Sequence, residues 1–130
     1  MTDHTLERPV RVMLVEDHAD FRGVMALLVD RQPGLKVVAQ AGSLVEAGRH
    51  AASVGCDVAV LDLGLPDGNG ADLIAELREV CPGSAVLILS ASLDAANLAR
   101  THEAGADEVL EKFEDPAKVI EAIRRLGGNG

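Results

Sequence analysis

Apolar residues occur along this chain in short runs of strand length. Four full runs and one shorter run are present, at Val10 to Val15, Leu35 to Ala39, Val58 to Leu63, Ala85 to Leu89, and Val109 with Leu110. The third and fourth runs, VAVLDL and AVLILS, do not alternate with polar residues. A strand that is apolar on both faces is typical of a parallel sheet covered on both sides. The pattern therefore predicts five strands, with two of them in the interior of a parallel sheet.

The segments between these runs have the periodicity of amphipathic helices. Three stripes of large apolar residues recur at helical spacing: Phe21, Met25 and Leu28; Leu73, Leu77 and Val80; Val119, Ile123 and Leu126. The segment from Asp94 to Ala104 predicts the weakest helix, because Leu98 is its only large apolar residue. We expect this helix to move most easily.

Two helix starts are marked by capping residues. Ser43 followed by Glu46 is the pattern of a capping box, and Asp115 before Pro116 is that of an N-cap with proline at the first helical position. Strand and helix therefore alternate five times along the chain. This alternation predicts an α/β fold with an open, doubly wound parallel sheet and five helices.

Length and charge limit the functions to consider. The chain has 130 residues, enough for one domain, and we place it at residues 9–126, after a loose lead at 1–8 and before a Gly-rich tail or linker at 127–130. A net charge of −9 argues against direct binding to nucleic acid or anionic lipid. No apolar run approaches the roughly 18 to 20 residues that span a bilayer, so we expect a cytoplasmic protein. Cys56 and Cys81 are isolated, which predicts ordinary thiols rather than a disulfide or a zinc site.

Polar residues stand at the carboxyl ends of the predicted strands, where open α/β sheets bind their ligands. Glu16 and Asp17 follow the first strand, Asp62 ends the third, Ser90 ends the fourth, and Lys112 follows the fifth. Three clustered carboxylates would repel one another without a cation, and Mg²⁺ suits oxygen ligands. A phosphoryl group on Asp62 would in turn be neutralised by Mg²⁺ and Lys112 and hydrogen-bonded by Ser90.

The motifs VMLVEDH, VLDLGLPDGNG, VLILSAS and the lysine of EKF resemble, in order and spacing, those of bacterial response-regulator receiver domains over roughly residues 9–126. This resemblance implies a flavodoxin-like (CheY-like) fold with strand order 2-1-3-4-5. It implies that Asp62 is the phosphoacceptor, that Ser90 is the switch hydroxyl, and that Lys112 pairs with the phosphoryl group. Glu16, Asp17, Asp62 and the Gly64 carbonyl would hold Mg²⁺.

Two positions depart from the family pattern. Family members usually have an aromatic residue three positions before the lysine, whereas this chain has Val109. A conformational change would then have to run through Ser90, its loop and the helix from about Asp94. Family members often have proline with a cis peptide after the lysine, whereas Phe113 stands here and predicts a trans bond.

The resemblance implies a signalling switch that takes its phosphoryl group from a sensor histidine kinase or a phosphotransfer protein and catalyses only its own modification. The alternative is a phosphorylation-independent pseudo-receiver that acts as a protein-interaction module, for which Val109 is the motivation. An enzyme or a nucleotide binder on a similar sheet is disfavoured, because the chain has neither G-x-G-x-x-G nor a P-loop motif. The GLPDG loop and the second strand, KVVAQAGS, resemble those of regulators whose second domain is a helix-turn-helix. We therefore expect contact with DNA only through a separate or missing C-terminal domain of that kind, and a homodimer remains open.

Smaller features have simpler interpretations. His18 stands beside the acid pair, but without a second histidine at ligand spacing we interpret it as a loop or helix-start residue rather than a transition-metal ligand. Asp67 lies between Pro66 and Gly68, and this sequence favours a turn rather than a catalytic role.

Overall fold

The computed structural model describes residues 8–128, in which five helices surround one five-stranded parallel sheet. The sheet contains β1 (Val10–Val15), β2 (Leu35–Ala41), β3 (Val58–Asp62), β6 (Ala85–Ser90) and β7 (Glu108–Glu111), and a small ribbon contains β4 (Gly64–Leu65) and β5 (Gly68–Asn69). The helices are α1 (Ala19–Asp30), α2 (Leu44–Ser53), α3 (Asp72–Val80), α4 (Ala95–Ala104) and α5 (Pro116–Gly128). The sheet order is β2-β1-β3-β6-β7. Counted over the five long strands this order is 2-1-3-4-5, so the predicted doubly wound, CheY-like fold is confirmed.

The central strands are apolar on both faces because helices cover both sides of the sheet. One core cluster lies beneath α2 and α3, and a second lies beneath α1 and α5. Along β3, Ala59 and Leu61 belong to the first cluster, while Val58 and Val60 belong to the second. Every residue of β3 is buried, which explains the unbroken apolar run in its sequence.

Both predicted helix starts are present. The Ser43 hydroxyl accepts from the backbone N–H of Glu46 at 3.2 Å. The Glu46 carboxylate reaches one residue further back than in a standard capping box and accepts from the N–H of Gly42 at 2.6 Å. The Asp115 carboxylate accepts from the backbone N–H of Ala117 at 2.9 Å. These local bonds mark the two helix starts independently of tertiary packing.

Several details differ from the sequence expectation. Val80 is 45% exposed, and the buried face of α3 is instead formed by Leu73, Ile74 and Leu77. Helix α5 continues through Gly127 and Gly128, which were expected in a tail, because a residue without a side chain lets the helix end lie against β1 and β3. A Cβ added at Gly127 would overlap a methyl group of Val10. The remaining tail residues, 129–130, and residues 1–7 of the lead expected at 1–8 lie outside the described residues.

Helix α4 buries little of its surface. Thr101 is its one fully buried residue, and its N-terminus is capped by the Asp94 carboxylate, which accepts from the N–H of Asn97 at 2.8 Å. A helix with so few apolar contacts depends on its cap and on its loop for its position. This part of the fold borders the candidate site.

Candidate functional site

Side chains from four strand ends meet at one edge of the sheet. Glu16 follows β1, Asp62 is the last residue of β3, Ser90 is the last residue of β6, and Lys112 follows β7. The relative exposure of these residues is only 5%, 5%, 2% and 6%, respectively. They lie together because neighbouring parallel strands end at the same edge, and β3 lies between β1 and β6. The edge therefore holds four buried polar groups next to the apolar core.

Lys112 pairs with both buried acids of this edge, Glu16 and Asp62. Its Nζ lies 2.8 Å from Oε1 of Glu16 and 3.2 Å from Oδ2 of Asp62. The same ammonium lies 5.2 Å from the ring centroid of Phe21 and 5.9 Å from that of Phe113, within the range of cation–π attraction. Two carboxylates and two rings thus surround a single buried positive charge.

The protonation equilibria follow from burial and from this ion pairing. Burial raises the pKa of Asp62, the negative charge of Glu16 raises it further, and bonds from Gly64 and Lys112 only partly oppose the increase. Burial also acts to raise the pKa of Glu16, but its bonds to Lys112 and to the N–H of His18 outweigh burial and lower it. Burial alone would lower the pKa of Lys112, and its pairing with the two acids raises it instead. The charged form of Asp62 is therefore the least stabilised of the three.

Asp17 and His18 occupy the outer part of the acidic cluster. The Asp17 side chain is 35% exposed, whereas that of Glu16 is 6% exposed. The His18 ring nitrogen Nδ1 lies 3.2 Å from Oε2 of Glu16 and 3.6 Å from Oδ1 of Asp17. Ligand atoms of these three residues all lie within 4.8 Å of one another. His18 also occupies the N-cap position of α1, which is the second of the two positions, loop or helix start, expected for it.

Ser90 makes its hydrogen bonds within its own loop. Its hydroxyl donates to the carbonyl of Ser92 at 2.7 Å and accepts from the Ser92 N–H at 3.2 Å. A serine hydroxyl has only one proton to donate, so Ser90 does not donate to Asp62 in this arrangement. The hydroxyl lies at the site edge but is directed towards the β6–α4 loop.

The loop after Asp62 is held in place from both ends. The N–H of Gly64 donates to Oδ1 of Asp62 at 3.2 Å. A Cβ at Gly70 would overlap the backbone oxygen of Asp62, so the chain returns past the site at a distance that only glycine permits. The loop between these glycines forms the β4–β5 ribbon, with Pro66 and Asp67 at its turn.

Asp67 does more than form a turn. Its carboxylate accepts from the backbone N–H groups of Leu44 at 2.8 Å and Val45 at 3.1 Å, the first residues of α2. These bonds hold the pKa of Asp67 below its ordinary value. The side chain thus supplies α2 with a second cap from a distant loop.

An open cleft of about 400 Å³ gives access to the edge of the sheet. Its lining includes all the candidate residues except the buried Glu16: Asp17, His18, Asp62, Leu63, Gly64, Asn69, Ser90, Ala91, Ser92, Asn97 and Lys112. A buried carboxylate at the base of such a cleft, paired with an ammonium group, can act as a nucleophile towards a group that enters from solvent.

Sequence reasoning gave no role to the two asparagines of this lining. Asn69 and Asn97 bring amide groups to the cleft from β5 and from the first turn of α4. Asn97 donates through Nδ2 to the carbonyl of Ser92 at 3.0 Å. Asn69 lies in the VLDLGLPDGNG motif but was given no role there. Asn97 lies outside the quoted motifs, although its position three residues after the Asp94 cap marks it as a first-turn residue.

The Lys112–Phe113 peptide bond is trans, as expected, and no cis bond occurs among residues 8–128. The Phe113 ring is 76% exposed and meets Phe21 edge to face, with 6.1 Å between the centroids. Val109, where the family usually has an aromatic residue, packs partly buried against the core. The two rings of the chain therefore lie on the α1 side of Lys112.

Comparison with known protein families identifies the class of protein that has this fold and this acidic sheet edge. Residues 12–124 match the family described as the response regulator receiver domain. The chain belongs to this family, whose members are receiver domains of two-component systems.

Individual relatives include response regulators and a DNA-binding transcriptional activator. The chain is 35% identical over 116 residues to the nitrate/nitrite response regulator protein NarP of Escherichia coli K12, covering 89% of this chain and 54% of the relative. It is 35% identical over 118 residues to the DNA-binding transcriptional activator DevR/DosR of Mycobacterium tuberculosis, covering 91% and 54%. A LuxR-family two-component response regulator from Aurantimonas sp. SI85-9A1 has a similar structure, with a TM-score of 0.85, 32% identity, and coverage of 92% of this chain and 86% of that chain.

This chain thus spans about half the length of the curated relatives it matches. Among residues 8–128, no helix combines the length and the apolar composition needed to cross a membrane.

Proposed function

We propose that this receiver domain is a phosphorylation switch in which Asp62 accepts a phosphoryl group from a sensor histidine kinase or a phosphotransfer protein. The observation that carries the proposal is the buried contact of Lys112 with both Glu16 and Asp62 at the base of an open cleft. Burying one ammonium with two carboxylates contributes little to stability on balance, because desolvation offsets the attraction. Such an arrangement at a strand edge that faces solvent is better explained by chemistry than by folding.

The proposed transfer needs only the donor and one carboxylate. A carboxylate oxygen of Asp62 forms a bond to phosphorus while the P–N bond of a phosphohistidine breaks. The electron pair of that bond returns to the imidazole nitrogen, which takes up a proton. The product is an acyl phosphate that carries about two negative charges, and water later hydrolyses it. The catalysis is then limited to the domain's own modification.

Lys112 and Ser90 have distinct proposed roles in this transfer. The Lys112 ammonium already contacts the Asp62 carboxylate. After phosphorylation it can therefore form an ion pair with a phosphoryl oxygen. The Ser90 hydroxyl must first leave the Ser92 carbonyl before it can donate to such an oxygen. Reorientation of Ser90 is thus the proposed first conformational step.

The donor set fits Mg²⁺. Carboxylate oxygens dominate the donor atoms at this edge, and oxygen is the ligand that Mg²⁺ prefers. After burial, the negative charge of Glu16 is the second cause of the raised pKa of Asp62, and a cation between the two acids would offset it. Glu16, Asp17, Asp62 and the carbonyl of Gly64 would hold the ion. When bound, Mg²⁺ would neutralise charge on the transferring phosphoryl group.

Intact-mass measurement tests the proposal. The protein is incubated with a small phosphodonor, such as acetyl phosphate, with and without Mg²⁺. We expect a gain of one phosphoryl group that requires Mg²⁺ and is lost in Asp62→Asn. Asp20→Asn is the matched control, because Asp20 is an exposed aspartate on α1 that lies outside the cleft lining. An unmodified wild-type protein, or equal modification of Asp62→Asn, would contradict the proposal.

A second candidate is a receiver that works without phosphorylation, as a protein-interaction module. Two observations favour it: Lys112 already pairs with both buried acids, and Val109 takes the place of the usual aromatic residue. Under this alternative, partner binding and oligomeric state would be the same in wild type and Asp62→Asn, with or without the phosphodonor.

We also propose that the output lies outside this domain. DevR/DosR is a DNA-binding activator of about twice the length matched here, and the net charge of −9 disfavours direct contact of this domain with DNA. Phosphorylation would then change the association of this domain with a DNA-binding domain or with a second copy of itself. Analytical ultracentrifugation with and without phosphodonor would detect a change in self-association.

A further inference from the structure

The side chain of Asn97 donates a hydrogen bond to the same backbone carbonyl, that of Ser92, as the hydroxyl of Ser90. The carbonyl of Ser92 accepts two bonds, one from the Ser90 hydroxyl at 2.7 Å and one from Nδ2 of Asn97 at 3.0 Å. A carbonyl oxygen has two lone pairs, so these two donors occupy it fully. Ser90 and α4 therefore meet at one backbone oxygen.

We propose that Asn97 is a positioning residue that, through the Ser92 carbonyl, couples the orientation of the Ser90 hydroxyl to the first turn of α4. This inference rests on the proposed phosphorylation of Asp62 and concerns the regulation of that site.

The coupling follows from competition between the two donors. Two donors on one carbonyl oxygen each withdraw electron density from that oxygen, so each bond is weaker than it would be alone. When Ser90 turns towards a phosphoryl group on Asp62, the bond from Asn97 strengthens and the Ser92 carbonyl keeps a partner. Without Asn97, the bond between Ser90 and Ser92 would be unshared and its release would cost more.

The position of Asn97 connects this exchange to α4. Its backbone N–H donates to the Asp94 cap at 2.8 Å while its side chain reaches back to Ser92. Asn97 is thus fixed to the helix start at one end and to the Ser90 loop at the other. Because α4 buries only Thr101 completely, a small change in these bonds can move its first turn.

This link compensates for the aromatic residue that β7 lacks. Val109 cannot report the state of the site by turning a ring, so a response has to pass through the β6–α4 loop. Asn97 lies in that path and also lines the cleft above Asp62.

Binding of beryllofluoride, a mimic of a phosphoryl group on a carboxylate, tests the coupling in the presence of Mg²⁺. Affinity is measured by titration calorimetry for wild type, Asn97→Ala, Ser90→Ala and the double variant. We expect Asn97→Ala to weaken binding about three- to tenfold, the range of a single hydrogen bond. In the Ser90→Ala background the same substitution should have no effect, because the exchange it assists no longer occurs.

Asn69→Ala is the matched control, because Asn69 is the other asparagine of the cleft lining and its Oδ1 accepts from Ala71 rather than from the Ser90 loop. Asn69→Ala should change the affinity for beryllofluoride by the same factor in the wild-type and Ser90→Ala backgrounds. Alanine is a strong helix former, so Asn97→Ala should fold, and an unchanged melting temperature verifies this.

Two outcomes would overturn the inference: wild-type affinity in Asn97→Ala, or an equal loss with and without Ser90. Failure of the wild-type protein to bind the mimic and to gain a phosphoryl group would instead contradict the proposed function. The mass measurement and the double-variant comparison thus separate the two failures.

Discussion

Replacing Lys112 by methionine removes the ammonium group while keeping a side chain of similar length and volume. The side chains of Glu16 and Asp62 are 6% and 7% exposed, and both lose their positively charged partner. Removal of one member of a buried ion pair typically costs about 3–5 kcal/mol, because the remaining charge stays desolvated. We expect about 3 kcal/mol here, the lower end, since Asp62 borders an open cleft that water can enter.

The loss should depend on pH in a defined direction. In the wild type, Glu16 has a lowered pKa, so its contribution to stability is present above its ordinary value of 4.5 and is lost as the pH falls through the folded-state pKa. The raised pKa of Lys112 keeps its contribution fully present below 10.5. Without the ammonium, burial and mutual repulsion raise the pKa of both acids, so the variant regains stability as they protonate. The difference should therefore be largest near pH 7 and smaller near about pH 5.

Urea denaturation at these two pH values measures the effect. At a slope of about 2 kcal/mol per molar urea, a loss of about 3 kcal/mol moves the midpoint by about 1.5 M. Lys118→Met is the control, because its ammonium is 64% exposed and pairs with Glu114 at 3.6 Å, so it should cost no more than about 0.5 kcal/mol. Equal losses in the two variants, or a Lys112→Met loss of the same size at both pH values, would refute the reasoning.

Two further predictions concern packing and thiol reactivity. Gly70→Ala should destabilise the fold by about 2 kcal/mol or more in thermal unfolding, because the new Cβ would overlap the Asp62 backbone oxygen; Gly83→Ala, with no atom within 4 Å of its Cβ, should be close to neutral. Burial raises the pKa of Cys56 to about 12, so iodoacetamide at pH 8 should label the partly exposed Cys81 first and Cys56 only on unfolding. Rapid labelling of Cys56 in the native protein would contradict this.

The sequence predicted the sheet well because buried parallel strands leave a simple signal. The runs at β3 and β6 are apolar at consecutive positions since both faces are covered, and their ends were placed within one residue. The polar residues that end the strands then follow from topology, because parallel strands bring their carboxyl ends to one edge. Predicting Glu16, Asp62, Ser90 and Lys112 near one another required no side-chain geometry.

Contacts that depend on geometry could not be predicted in this way. Hydrophobic periodicity does not predict that Asp67 caps α2 from a loop 22 residues away. It also does not predict that the Glu16 side chain points inward to Lys112, whereas Asp17 lies at the rim of the site. The bond from Asn97 to Ser92 was missed for the same reason, because it is a local loop contact without a sequence motif. The end of α5 was placed too early, since glycine usually marks a helix stop and here allows close packing instead.

The most direct test of the central claim is to locate the modified residue chemically. After incubation with the phosphodonor and Mg²⁺, hydroxylamine is added, which converts an acyl phosphate into a hydroxamate and releases phosphate. Peptide mass mapping should then find a hydroxamate at Asp62, and none when Mg²⁺ is chelated before the phosphodonor is added. A hydroxamate at another acidic residue, or none in the wild-type protein, would contradict the assignment of Asp62 as the phosphoacceptor.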